Sequence, residues 1–254
     1  MAFIECNFYS NTLALSTTIN VILPDEAAQS DGKHNYNKRY PTLYLLHGLS
    51  DDHTIWQRKS SIERYVEKMG LAVVMPAVNR SFYTDMVHGL KYWTYITEEL
   101  THLTRTFFPL SDKREDNFVA GISMGGYGSF KIALSYPERY SAAASLSGAM
   151  DIVARSKIWT DEFQNIFANV NKLKGSQDDL YYLANKVDQS TGPKPKLYQC
   201  CGKEDFLYDD NIKFRDFCTS LSLEYIYEEE KGEHNWDYWD TKIKDVLKWL
   251  PIVR

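Results

Sequence analysis

The sequence predicts an α/β domain, with a mostly parallel central sheet and helices on both of its faces. Three observations point there. Short runs that are apolar almost without interruption recur along the chain, as strands buried on both faces require. Between them lie stretches whose apolar residues fall three and four apart, the period of a helix with one buried side. The two kinds alternate with few breaks, the pattern of strands joined by crossover helices. A chain of 254 residues, 44% hydrophobic and 25% charged, suits one large soluble domain and excludes disorder.

Taken in order, Ala2–Leu23 reads as antiparallel strands ending in the apolar run Ile19–Leu23, and the polar loop Pro24 to Tyr40 is expected at the surface. Thr42–Leu46 is the first buried strand. Ile55, Ile62, Val66 and Met69 then form a helical stripe that Gly70 stops. Leu71–Pro76 is a strand. Trp93, Ile96, Leu100, Leu103 and Phe107 make a second stripe, ended by Pro109. The strand Asn117–Gly121, the helix Met124–Ser135 and the strand Ala142–Leu146 follow.

The rhythm breaks from Asp151 to Pro195, where two helical patterns (Phe163, Ile166, Phe167, Val170, Leu173; then Leu180, Leu183, Val187) occur with no convincing strand. Such an insertion either packs as ornament or caps a site at the strands' C-terminal ends. The cap is the expectation, because α/β sites are built at those ends. The strand Lys196–Cys201, the helix Asn211–Leu221, the strand Leu223–Tyr227 and the helix Trp236–Leu250 complete the chain. No linker or repeat divides it. Residues 1–254 are therefore expected to form one domain, with 151–195 as its cap.

Composition narrows the partners. The net charge is −5 and no Lys/Arg run is present, so there is no footprint for nucleic acid or an anionic membrane. No stretch approaches eighteen apolar residues, and Met1 to Ser16 lacks the features of a signal peptide. The expected setting is the cytoplasm. Four cysteines make no disulfide framework. Cys200–Cys201 invites a redox reading, but inside a strand-like segment they are expected to pack as small hydrophobes. With no CxxC and no zinc-spaced His/Cys cluster, neither metal nor cofactor is expected.

Gly121-Ile122-Ser123-Met124-Gly125 is a GxSxG string, weak by itself. Its setting strengthens it, because a buried strand precedes it and a helix follows, as a nucleophile elbow requires. There a sharp turn imposes unusual dihedrals on Ser123, lifts its hydroxyl above the sheet and aims a helix N-terminus at developing negative charge. A serine needs a base. His234 follows the last strand and Asp205 follows the strand Lys196–Cys201, so Ser, Asp and His come in the chain order this elbow demands. Ser123, Asp205 and His234 are the candidate catalytic residues. The backbone N–H groups of Leu49 and Met124 are the candidate oxyanion donors.

Other acids and histidines compete. Glu204, Asp209 and Asp210 neighbour Asp205 but read as solvated or capping groups. His34, His88 and His102 read as surface residues, and His47 is expected to brace its loop more than to move protons. Asp51, Asp52 and His53 resemble a metal cluster, which helix capping explains more simply. The aromatic content is high, at 14%. Trp56, Phe82, Tyr83, Trp159, Phe206 and Trp236 fall near these loops or in the insertion. As a group they suggest an apolar acyl pocket, with Trp56, Tyr83, Trp159, Phe206, Trp236 and His47 as its candidate lining residues.

His47-Gly48-Leu49-Ser50-Asp51-Asp52, Trp56, Tyr83-Thr84-Asp85, Glu98-Glu99-Leu100, Gly121 to Gly128, Gly202 to Tyr208 and His234-Asn235-Trp236 together resemble the esterase D-like branch of the α/β-hydrolases, the bacterial tributyrin esterases in particular. That branch includes S-formylglutathione hydrolases and is related to feruloyl and acetyl-xylan esterases and to mycolyltransferases. The resemblance implies hydrolysis of short-chain acyl esters through Ser123, Asp205 and His234, a small lid over 151–195, a small-molecule ester as partner, and association into a dimer or tetramer. Three alternatives stay open: an esterase for feruloylated or acetylated plant polysaccharide fragments, a thioesterase of the S-formylglutathione type, and a catalytically silent binding module.

Overall fold

In the computed structural model, which describes residues 1–24, 37–167 and 169–252, eight strands form one sheet. The strands are β1 (Ala2–Ser10), β2 (Leu15–Leu23), β3 (Thr42–Leu46), β4 (Ala72–Pro76), β5 (Asn117–Ile122), β6 (Ala142–Leu146), β7 (Lys196–Gly202) and β8 (Tyr225–Glu230). Their order across the sheet is β1-β2-β4-β3-β5-β6-β7-β8. β1 pairs with β2 and β2 with β4 antiparallel, and every later pairing is parallel. The six parallel strands therefore send their C-terminal ends to one edge. Every residue of β3, β4, β5 and β6 is buried, which explains their unbroken apolar runs.

Helices cover both faces, as the alternating pattern predicts. On one face lie α1 (Ile55–Lys59), α2 (Ile62–Val66) and the last helix, whose Ile55, Trp56, Ile62, Val66, Ile243 and Val246 pack on Leu43, Val73 and Phe118. The other face carries α3 (Tyr92–Thr94), α4 (Leu100–Phe107) and α5 (Met124–Ser135), packed on Tyr44, Val74 and Val119. The predicted stripe from Ile55 to Met69 is cut in two at Ser60. The Ser60 hydroxyl donates to the Trp56 carbonyl (2.6 Å) and accepts the Ile62 N–H (3.2 Å), replacing helical bonds. Between α3 and α4 the chain widens into a π-helical turn, Tyr95–Glu99.

The insertion contains α6 (Ile152–Arg155), α7 (Thr160–Ile166) and α8 (Leu180–Asp188), and none of its described residues joins the sheet. α8 packs on α5. α7 is tied to the loop after β4 by Val87 N–H to Ile166 O (3.1 Å) and His88 N–H to Asn165 O (2.9 Å). After β7 come α9 (Tyr208–Cys218), β8 and α10 (Trp236–Trp249). α9 starts three residues before the predicted Asn211, because the turn at Asp205 already closes with Tyr208 N–H to Asp205 O at 2.9 Å. β8 likewise runs from Tyr225 to Glu230, whereas the apolar pattern suggested Leu223–Tyr227. It is an edge strand with open sides, so Glu228–Glu230 stay solvated while their backbone pairs with Cys200–Gly202. Most of the expected surface loop Pro24 to Tyr40, with His34, lies outside the described residues.

Candidate active site

Ser123 joins β5 to α5 with φ 54° and ψ −116°, a conformation that ordinary residues avoid. The glycines two residues either side of it make that turn possible. A Cβ on Gly121 would fall on the carbonyl of Gly125, and one on Gly125 would lie 2.7 Å from both the Leu46 and the His47 carbonyl oxygens. The elbow is locked by backbone bonds. Ser123 N–H donates to Leu146 O (2.9 Å), and the Ser123 carbonyl accepts from Tyr127 N–H (3.1 Å) and Ala149 N–H (3.2 Å).

The loop after β7 and the loop before α10 meet at this elbow. His234 Nε2 lies 3.0 Å from Ser123 Oγ, and its Nδ1 lies 2.9 and 2.8 Å from the two Asp205 carboxylate oxygens. A carboxylate only accepts, so Nδ1 carries the proton and Nε2 presents a lone pair to the serine hydroxyl. The Asp205 side chain is fully buried and also accepts the Leu207 N–H at 2.8 Å. The His234 ring lies between Phe206, 4.5 Å away between centroids, and Trp239, which meets it edge-on at 4.8 Å. Glu204 fastens the two loops together, accepting the Gly232 N–H (2.6 Å) while its own N–H donates to Gly232 O (3.1 Å). Asp210 is buried against Arg155 (2.6 Å), and Asp209 is exposed in the first turn of α9.

Leu49 follows β3, beside the elbow. Neither its N–H nor that of Met124 donates to any described residue, so both are available at the cavity. His47 braces this loop from behind. It is buried, donates from Nδ1 to Gly48 O (2.6 Å) and accepts the Val78 N–H at Nε2 (3.0 Å). Burial lowers its pKa to about 4, so the ring is neutral and both nitrogens are committed.

A cavity of about 390 Å³ opens over Ser123. Trp159, Phe206 and Trp236 line it, together with Leu49, Met124 and His234. His47, Trp56 and Tyr83, expected in the lining, lie behind it. Trp56 is buried with Nε1 donating to Leu46 O (3.0 Å), and Tyr83 is buried with its hydroxyl on His47 O (3.0 Å). Their polar ends satisfy the carbonyls of the very strand end that positions Leu49, which is why they face inward. Of the adjacent pair, Phe82 lines the cavity and Tyr83 does not, and both have left-handed backbone, φ 49° and 50°.

Phe82 leans on the insertion, with Phe163 at 4.9 Å and Trp159 at 5.9 Å. From α5, the buried Lys131 donates to Tyr83 O (3.0 Å) and Thr84 Oγ1 (2.8 Å) and pairs with Asp178 (2.6 Å). Sequence reasoning missed Trp239, Ala149 and Asp51 in the lining. Trp239 was findable, since it sits three residues after Trp236 on the same helix. Asp51 is half-buried there, and burial raises its pKa. Asp52 instead caps the next turn, accepting from Thr54 N–H at 2.8 Å. Cys200 and Cys201 are buried free thiols. Burial pushes Cys200 up to about 12 and Cys201 up as well, which keeps both in the unreactive thiol form.

Comparison with known proteins gives four concordant likenesses. A family model described as "Putative esterase" matches residues 10–250. An acetyl esterase of Caldicellulosiruptor saccharolyticus is 33% identical, covering all of this chain and 99% of its own length. Among solved structures, the fluorophosphonate-binding serine hydrolase F of Staphylococcus aureus superposes with a TM-score of 0.89 at 40% identity, over 98% of each chain. An S-formylglutathione hydrolase of the same organism superposes at 0.86 and 38%, again over 98% of each.

Proposed function

This chain belongs to the putative-esterase family of α/β-hydrolases and is a carboxylic ester hydrolase; from that premise we propose that Ser123 is its nucleophile, His234 its base and Asp205 the acid that orients the base. The observation that carries the proposal is the unbroken chain of contacts from Ser123 Oγ through His234 to Asp205, at 3.0 and 2.8 Å. Ser123 attacks the ester carbonyl as His234 Nε2 takes its proton. The negative charge that develops on the carbonyl oxygen is received by the N–H groups of Leu49 and Met124 at the start of α5. His234 passes the proton to the departing alcohol, leaving an acyl group on Ser123. Water, activated by the same imidazole, then releases the acid and restores the serine.

The acyl groups proposed are short, acetyl to butyryl, as in tributyrin. A cavity of about 390 Å³ is near the lower end for ligand sites, and it must hold the acyl and alcohol parts together. The insertion supplies Trp159 to its wall, and we assign residues 151–195 to a cap on a single domain. Four unpaired cysteines fit a reducing compartment, so the proposal places the enzyme in the cytoplasm. No described helix is long and apolar enough to cross a membrane.

The test is Ser123→Ala, assayed on p-nitrophenyl butyrate with the fold checked by circular dichroism. A folded variant with no turnover above background is expected, with loss of fluorophosphonate labelling. Retained hydrolysis would sink the assignment. The cavity's aromatic walls favour one second reading, an aryl acyl group such as ferulate. Comparing kcat/KM on tributyrin and methyl ferulate separates the two, and tributyrin is expected to be the better substrate.

A further inference from the structure

The residues that line the cavity include one carboxylate, Asp51, and neither lysine nor arginine. Arg58, whose charge also acts on Asp51, is paired with Asp52 (3.8 Å), and Arg80 and Arg155 are paired with Glu162 (2.5 Å) and Asp210 (2.6 Å). No ion pair reaches Asp51 among the described residues; its carboxylate accepts a hydrogen bond from the Gly48 backbone, and it lines the same cavity as Phe82, Trp159, Phe206, Trp236 and Trp239. A carboxylate in a box of aromatic rings suits a cation, because ring faces and carboxylate both present negative potential. The net charge of −5 acts in the same sense.

The side of the site that feels this field follows from His234. The imidazole hands its proton to the departing group, so that group leaves on its side of Ser123. Asp51 lines the same cavity, near enough for its charge and that of His234 to interact. We propose that Asp51 makes this site charge-selective, favouring esters and thioesters whose leaving group is cationic and discriminating against leaving groups that bear carboxylates. The proposal rests on the esterase reading above and adds the class of leaving group. It also separates this chain from any enzyme suited to glutathione thioesters, whose leaving group is anionic.

The experiment compares kcat/KM for acetylcholine with that for 3,3-dimethylbutyl acetate, its uncharged isostere, in the wild type, Asp51→Asn and Asp112→Asn. In a partly wet cavity, the wild type should prefer the cation by about fivefold or more. Asp51→Asn should lower the ratio severalfold, to the smaller preference that the ring faces and the leaving group's own reactivity provide, and raise the relative rate on S-formylglutathione. Asp112→Asn makes the same change in net charge at an exposed residue before β5, at the other end of that strand from Ser123, and should leave the ratio in place. In the wild type, about 0.5 M salt should compress the ratio without any substitution, a readout that survives if Asp51→Asn does not fold. A wild-type ratio near one, or equal effects of the two substitutions, overturns the proposal. Failure of the underlying esterase assignment would look different, as an absence of turnover on both acetates and of fluorophosphonate labelling.

Discussion

The two sides of the cavity are held by different means. On the sheet side, Ser123, Met124 and Leu49 hang on backbone: a left-handed serine, the Leu146 carbonyl and a glycine packed against the Leu46 and His47 carbonyls. On the opposite side, Phe82 and Trp159 are held by side chains. Lys131 gathers Tyr83, Thr84 and Asp178, Arg80 grips Glu162, and rings lean on rings. Backbone contacts at such distances leave no room to adjust, whereas side chains have alternative rotamers. The sheet side should therefore govern whether reaction occurs at all, and the insertion side which substrates are accepted.

That division can be broken in several ways. The largest expected effect is Asp205→Asn. The amide would donate to His234 Nδ1 and trap the wrong tautomer, lowering kcat by about 10⁴-fold with little loss of fold. Gly125→Ala comes next. Its methyl meets two carbonyls that cannot retreat, so kcat on p-nitrophenyl acetate should fall by about 10²-fold and stability by about 1–3 kcal/mol. Lys131→Met leaves Asp178 and two acceptors without their cation and should cost about 3–5 kcal/mol in chemical denaturation. For this smallest substrate its kcat should stay within about tenfold, with the larger change in KM for butyrate esters. If Lys131→Met lowers kcat on p-nitrophenyl acetate as far as Gly125→Ala does, the contrast between the walls is wrong.

The pH dependence of stability sharpens the same comparison. His47 binds no proton in the fold until pH falls to about 4, whereas an exposed histidine takes one near 6.5. Its contribution is thus complete above about pH 6.5 and is lost as pH falls from there to about 4, by about 1.4 kcal/mol per unit. Urea titrations across that window should show this slope, flattened in His47→Gln. An unchanged slope would mean that other groups carry it. The smallest effect expected is Arg80→Gln. Its partner pair lies at the surface, so stability should change by less than about 1 kcal/mol, leaving only a shift of a few-fold in acyl preference.

Much of the site was legible because its signals are local or follow chain order. The glycines around Ser123 register contacts with neighbouring strands, and a parallel sheet carries every strand's C-terminal end to one edge. Asp205 and His234, each placed just after a strand, therefore arrive where Ser123 does. The lining was less legible. Tyr83 and Phe82 are adjacent and both aromatic, yet only Phe82 lines the cavity, within a left-handed turn that no periodicity announces. Trp56 looked like a pocket residue until the Leu46 carbonyl claimed its indole. Asp51 and Asp52 look alike in the sequence, yet one faces the cavity and the other caps a turn.

What the sequence determined alone is the α/β framework, from the period of its apolar residues, and the elbow, from small residues where only small ones fit. The tertiary structure decided which aromatic rings line the cavity, how the insertion is tied to the loop after β4, and that Asp51 rather than Asp52 joins the lining. The reason is physical. Periodicity and steric need are written within a few residues of one another, but which face of a loop meets a cavity depends on partners contributed by distant strands and helices.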